Sequence, residues 1–303
     1  MQKIENAFKP GDPYLELAAR GKLHHCVVHK DENNDQEDHW IIREEQEILD
    51  SIVSGRKKGH YYLITGEKGT GKSSMLIDAM DKVDGEGVSM FDAHADPEIF
   101  RVRLGKALDF EYHEDNIGSL FSIRGPRDAS ALLDIERAFN KLEKIALRRR
   151  KKMKQPLVLI INSVHLLRDD EDGRDMLELI QQRAEQWAVA NLVTVIFSSD
   201  DYWVYERLKL HASRMEVIAV KDLAKEKAFR VLREYRRKYH DDVPSMEVLE
   251  NVYSKIGGRL SHLNRVAHAE DMVQVCNKIC ETEKTWFLSV SSKAMNLGMT
   301  LTR

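Results

Sequence analysis

The chain alternates between two hydrophobic periods. Short apolar runs with strand-forming residues occur at Tyr61–Ile64, Val88–Ala93, Leu157–Ile161, Leu192–Phe197 and Glu216–Val220. Between them apolar residues return every three or four positions, which is helical spacing. Over Trp40–Val53 the residues Ile41, Ile42, Ile48, Leu49 and Ile52 share a side, with Glu44, Glu47 and Asp50 in the polar remainder. Helices are also predicted after Gly71 (Met75, Leu76, Ala79, Met80) and after Pro97 (Ile99, Phe100, Leu104), the latter capped by Asp96. Three more are predicted over Ala131–Leu147, Asp175–Ala190 and Tyr205–Leu210. The runs Leu157–Ile161 and Leu192–Phe197 lack polar alternation, so they are expected to be buried on both faces, as in a parallel sheet sandwiched by helices.

From Asp222 the pattern is helical only. Ala224, Ala228, Val231, Leu232 and Tyr235 make one face, with Arg230, Arg233, Arg236, Arg237 and Lys238 largely outside it. Met246–Ile256 follows, ended by Gly257-Gly258, and then a third helix over Arg259–Ile279. The expected class is α/β with a small all-α domain appended. The expected division is a lead-in over 1–39, a nucleotide-binding domain over 40–221 and a helical lid over 222–303.

The chemistry concentrates where the first apolar run stops. Gly66-Glu67-Lys68-Gly69-Thr70-Gly71-Lys72-Ser73-Ser74 sits between a predicted strand and a predicted helix, the context that makes G-x-x-x-x-G-K-[ST] a phosphate loop. The glycines admit positive φ and a close approach of backbone to polyphosphate. Successive amides then form an anion nest backed by the positive end of a helix. Lys72 is the point charge for the β and γ oxygens, and Ser73 the hydroxyl ligand for Mg²⁺. The motif implies a nucleoside triphosphate with magnesium in a P-loop NTPase sheet.

Composition narrows this further. Lys and Arg number 47 against 50 Asp and Glu, for a net charge of −3, which argues against a polyanion binder overall. The basic run Arg148–Lys154 leaves a local nucleic-acid contact open, beside the plainer reading of a solvated helix end. Three cysteines (Cys26, Cys276, Cys280) make no disulfide framework and point to an intracellular, reducing compartment, with cytoplasm, nucleus and mitochondrial matrix not distinguished. No apolar run approaches the ~18 residues of a membrane span. His24-His25-Cys26-Val27-Val28-His29 alternates like a short strand and has the wrong spacing for one tetrahedral zinc site. Lys30–Asp38 reads as a polar loop, and Phe110–Ala129 as a long irregular segment.

The order of parts resembles the AAA+ and STAND ATPases, near the origin-recognition and archaeal-ATPase branch, over about residues 40 to 280. The stretches IINSVHLL, QQRAEQWA, FSSDDYW and IGGRLSHL are similar to fungal AAA proteins with a winged helix after the lid and, more distantly, to mitochondrial escape protein 2. The resemblance implies ATP in particular as the triphosphate, Walker A roles for Lys72 and Ser73 and a sensor-1 role for Ser198 or Ser199. It implies an arginine finger at Arg214, reaching into a neighbour's site in a homo-oligomer, and a sensor-2 position at Arg259. A surface arginine and a helix-start arginine are the plain alternatives for these two.

One departure stands out. Where the family ends its Walker B strand in two acids, this chain has Asn162-Ser163. Asn162 accepts a hydrogen bond but brings no charge, and Ser163 is not basic enough to activate water; losing general-base help costs roughly 10²–10⁴ in rate. Asp92 and the acids Asp169–Asp172 are candidates to substitute. Three readings result: an ATPase coupling nucleotide state to lid movement and to a protein client, a nucleotide-gated scaffold that binds ATP/ADP without turnover, and a nucleic-acid-handling ATPase.

Overall fold

Five parallel strands in the order β2-β3-β4-β1-β5 carry the structure, a computed structural model that describes residues 2–11, 14–15, 43–112, 131–153 and 155–296, with side chains to residue 289. In chain order the elements are α1 (Gln2–Asn6), α2 (Glu44–Val53), β1 (Tyr61–Thr65), α3 (Lys72–Asp81), β2 (Val88–Asp92), α4 (Pro97–Ala107), α5 (Ala131–Met153), β3 (Leu157–Asn162) and a 3₁₀ turn (Val164–Leu167). They continue as α6 (Glu171–Ala190), β4 (Val193–Ser199), α7 (Trp203–Leu208), β5 (Met215–Ala219), α8 (Lys225–Tyr239), α9 (Met246–Ile256), α10 (Leu260–Ala267) and α11 (Met272–Asn296). The expected strand at His24–His29, the loop at Lys30–Asp38, the start of the helix at Trp40 and most of the irregular segment after Phe110 lie outside the described residues.

The described residues fall into two compact units. The first draws on Met1–Asn34, Ile42–Glu67 and Lys72–Val220, and it holds the sheet. Strand side chains alternate between two cores. Leu63, Leu159, Ile161, Val195 and Phe197 pack with α4, α5, α6 and α7 on one face. Tyr62, Ile64, Val158, Ile160 and Ile196 pack with α2 and α3 on the other. Both faces are therefore dry, as the unbroken apolar runs require. The edge strand β5 is the exception, burying Ile218 while Glu216, Val217 and Ala219 are exposed.

Several elements depart from their sequence-based limits for identifiable reasons. Helix α6 begins a turn before Asp175, because Asp170 caps it by accepting from the Gly173 amide at 2.9 Å. Helix α5 runs through the basic segment to Met153, since lysine and arginine are good helix formers. Ile48, expected inside, is 39% exposed; Gln46 is buried instead and donates to the Met75 carbonyl at 3.1 Å. Asp96 does cap α4, accepting from the Glu98 and Ile99 amides.

The second unit comprises described residues from Lys68–Gly71 and Lys221–Arg303. Its core is Leu223, Phe229, Leu232, Leu249, Val252, Leu263, Val266 and Cys276. The single helix expected over Arg259–Ile279 is two, α10 and α11, broken where Asp271 accepts from the Gln274 amide at 2.9 Å and caps a fresh start. Arg236, expected outside, is buried and pairs with Asp242 at 2.7 Å and with the Ala269 carbonyl. Gly258 lies against backbone: a Cβ there would sit 1.8 Å from the Leu223 carbonyl oxygen. Gly258→Ala is expected to destabilise this unit by about 1–3 kcal/mol, the usual scale of overpacking, read as a lower thermal midpoint.

Candidate nucleotide site

The C-terminal ends of the strands set the site, the usual place for a ligand on an open parallel sheet. Asp92 at the end of β2 is in register with Asn162 at the end of β3. Thr65 at the end of β1 is in register with Ser199 at the end of β4. From Thr65 the chain enters the glycine loop, and α3 begins at Lys72 with its first amides facing the loop. Gly69 and Gly71 have φ of 82° and 99°, left-handed values that glycine alone takes without strain. Within the second unit a Cβ on Gly69 would lie 2.2 Å from Ser261 Oγ, and the Gly69 carbonyl accepts from the Ser261 amide at 3.0 Å.

Lys72 is only 4% exposed. Its Nζ donates to the carbonyls of Gly66 (2.7 Å) and Glu67 (2.9 Å) and pairs with Asp200 Oδ1 at 2.7 Å. An ammonium so deep requires an anion, and β3 provides none. Asp200, just past β4, takes that place. Its own position is fixed from the 3₁₀ turn: the Asp200 amide donates to His165 Nδ1 at 3.1 Å. That bond makes Nδ1 the acceptor, so a neutral His165 carries its proton on Nε2, which lies 3.9 Å from Asp200 Oδ2. Sequence reasoning gave Asp200 no role; its position directly after the sensor-like serines was the available signal.

A second set of contacts crosses three elements. Ser73 Oγ donates to Asn162 Oδ1 at 3.1 Å, and Asn162 Nδ2 donates to Asp92 Oδ1 at 2.7 Å. The Tyr14 hydroxyl donates to Asp92 Oδ2 at 3.2 Å. Burial first, then the Asp92 charge, holds the Tyr14 phenol above its ordinary range, so it stays a donor. Of the candidate replacement acids, Asp92 is the one joined to Asn162. Asp169 pairs with Arg174 (2.8 Å) and Arg207 (3.4 Å), and Asp170 caps α6.

The remaining predicted residues fall as follows. Thr70 is buried, whereas Glu67, Lys68 and Ser74 are exposed. Ser199 is fully buried; its hydroxyl donates to the Asp201 carbonyl at 2.9 Å and accepts from the Asp201 amide, so it braces the turn that presents Asp200. Arg214 is exposed at the start of β5, the opposite end of the sheet from the loop, where its guanidinium donates to the Gly59 carbonyl. It is thus not part of this chain's own site. Arg259, in the second unit, pairs with Asp222 at 2.6 Å and donates to the Lys68 carbonyl at 3.1 Å. In the basic run, Arg149 donates to the Phe8 carbonyl and Arg150 to the Ala190 carbonyl, so part of that charge serves local packing.

The groups fit a polyphosphate and its cation. The start of α3 and a buried ammonium suit phosphate oxygens. The Ser73 hydroxyl and Asn162 carbonyl are hard oxygen donors of the kind that magnesium and its waters take.

Sheet order, loop and helix start define a P-loop nucleotide-binding protein. A family model for the AAA ATPase domain matches residues 39–196, more than half of the 303-residue chain, and the protein belongs to that family. It is accordingly an ATP-binding ATPase in the general sense of the family. Among solved structures it is similar to a Walker-type ATPase of Pyrococcus abyssi, with 15% identity and a TM-score of 0.59 over 86% of this chain and 77% of that one, a likeness of fold. No curated protein matches it in sequence at a significant level. Among the described residues no helix is long and apolar enough to cross a membrane.

Because Asp200 holds the ammonium that phosphates need, it competes with nucleotide. Asp200→Asn is expected to tighten ATP binding about tenfold, ~1.4 kcal/mol, while lowering the nucleotide-free melting midpoint. Calorimetric titration beside thermal unfolding checks both signs. An unchanged or weaker affinity would contradict the competition.

Proposed function

We propose that this chain is an ATP-dependent switch of slow turnover, in which residues 40–221 bind nucleotide and the helices of 222–303 report its state to a partner. The observation that carries this reading is the end of β3: Asn162 and Ser163 stand where an efficient ATPase of this kind has carboxylates. In this reading the loop residues Gly66–Ser74 and the start of α3 seat the phosphates. Lys72 exchanges its bond to Asp200 for phosphate oxygens. Ser73 and Asn162 are the residues that would hold magnesium and its water, through their side-chain oxygens. Magnesium, when bound, neutralises charge on the β and γ phosphates. Ser199 shapes the turn that presents Asp200, with Ser198 beside it on β4. Arg259 senses nucleotide beside the loop tip that it already touches at Lys68. Arg214, pointing away from its own site, is suited to a neighbouring copy.

A position without a general base leaves the attacking water unactivated, so turnover is expected to be slower by roughly 10²–10⁴ than with a carboxylate. The measurement is a thermal shift with ATP and magnesium beside phosphate release. ATP at a hundredfold excess over its dissociation constant is expected to stabilise the protein by ~2.7 kcal/mol, with slow phosphate release. Lys72→Ala is expected to abolish both. Stabilisation with no release at all selects the scaffold reading, fast release refutes a slow switch, and a shift that survives Lys72→Ala refutes the site.

A further inference from the structure

The hydroxyl assigned to the metal is the head of a hydrogen-bonded line that runs out of α3, across the end of β3 and into β2. Ser73 Oγ reaches Asn162 Oδ1 at 3.1 Å, and Asn162 Nδ2 reaches Asp92 Oδ1 at 2.7 Å. The order is chemically forced. A carboxylate accepts only, so it selects the amide nitrogen of Asn162 and turns the amide oxygen toward Ser73. Without Asp92 the amide has no reason to prefer that face.

The second oxygen of the carboxylate meets a neutral donor. Asp92 Oδ2 accepts from the neutral Tyr14 hydroxyl at 3.2 Å. Arg103 spends Nη1 on the backbone carbonyls of Asp92 and Ala93, at 3.1 and 2.9 Å, rather than on the carboxylate. Among the described residues no lysine or arginine forms an ion pair with it. An unneutralised carboxylate hydrogen-bonded to one end of an amide increases the negative character of the oxygen at the other end. Asn162 is only 5% exposed, so little water intervenes to screen the effect.

We infer that Asp92 is a positioning residue for the divalent cation: the negative charge absent from the end of β3 is supplied from the neighbouring strand and delivered to the metal's surroundings through the Asn162 amide. This rests on the nucleotide reading of the Ser73 site. It explains how a strand ending in asparagine keeps a magnesium-dependent site, because outer-shell partners of this type both orient and strengthen the inner groups. It also separates two roles. The charge that helps bind metal is present, one strand over, whereas a base in reach of water is not thereby restored.

The test titrates the full chain with the non-hydrolysable analogue β,γ-imido-ATP in EDTA, in magnesium and in manganese, with Mn²⁺ binding followed by electron paramagnetic resonance. Wild type is expected to bind more tightly with metal than without. Asp92→Asn is expected to bind the analogue in EDTA as wild type does but to lose about 10- to 100-fold in metal affinity. The exchanged pair, Asp92→Asn with Asn162→Asp, keeps one amide against one carboxylate and is expected to recover the metal-dependent gain. It also serves if the single variant does not fold. Full metal gain in Asp92→Asn, equal weakening with and without metal, or an exchanged pair that folds without regaining the gain would each overturn the inference. Analogue binding that shows no metal dependence in wild type overturns it while leaving the nucleotide site standing. No analogue binding in wild type under any condition overturns the nucleotide reading itself.

Discussion

A buried ammonium cannot stand without an anion, and the arrangement around Lys72 follows from that requirement. The loop brings its lysine against the ends of the strands, where it is 4% exposed. Removing the charge from water costs several kcal/mol unless it is returned by pairing. With an asparagine at the end of β3, the nearest strand that can return it is β4, and Asp200 does so at 2.7 Å. The His165 ring on the Asp200 amide and the Ser199 hydroxyl on Asp201 then make sense as supports for that carboxylate. The loop is closed on itself, its lysine held by an internal anion and by two loop carbonyls.

Two carboxylates flank the asparagine at the end of β3 from the neighbouring strands. Asp92 stands on β2 and Asp200 follows β4, on either side of Asn162. Parallel register makes this division workable, because the C-terminal ends of adjacent strands come level with one another. Asp92 opposes Asn162 directly, close enough for one hydrogen bond to join them. Negative charge is thereby kept near the phosphate loop from two strands, with an uncharged amide between them.

The sheet, the loop and the helix that follows it were legible in the chain because each is local: an apolar run, a glycine spacing, a helix period. The partner of Asn162 was not, since Asp92 lies 70 residues away and choosing it over Asp169–Asp172 requires strand order and register. Asp200 was hidden for a similar reason, being one of two adjacent aspartates after a strand with nothing local to separate them. Periodicity also passed over Gln46 and misjudged Arg236. Both are polar by type but satisfied inside, by the Met75 carbonyl and by Asp242 with the Ala269 carbonyl. The break between α10 and α11 escaped because the apolar period carries on across it; only the Asp271 cap marks the interruption.

The half-exposed edge strand carries a consequence for assembly. β5 is short and turns Glu216 and Val217 outward, with Ile218 as its one buried residue. A brief edge bearing an outward acid is a poor template for another chain's backbone. Joining of two copies backbone to backbone through β5 is therefore disfavoured, so a contact made along this edge falls to side chains and leaves the ladder on this side of the sheet unextended.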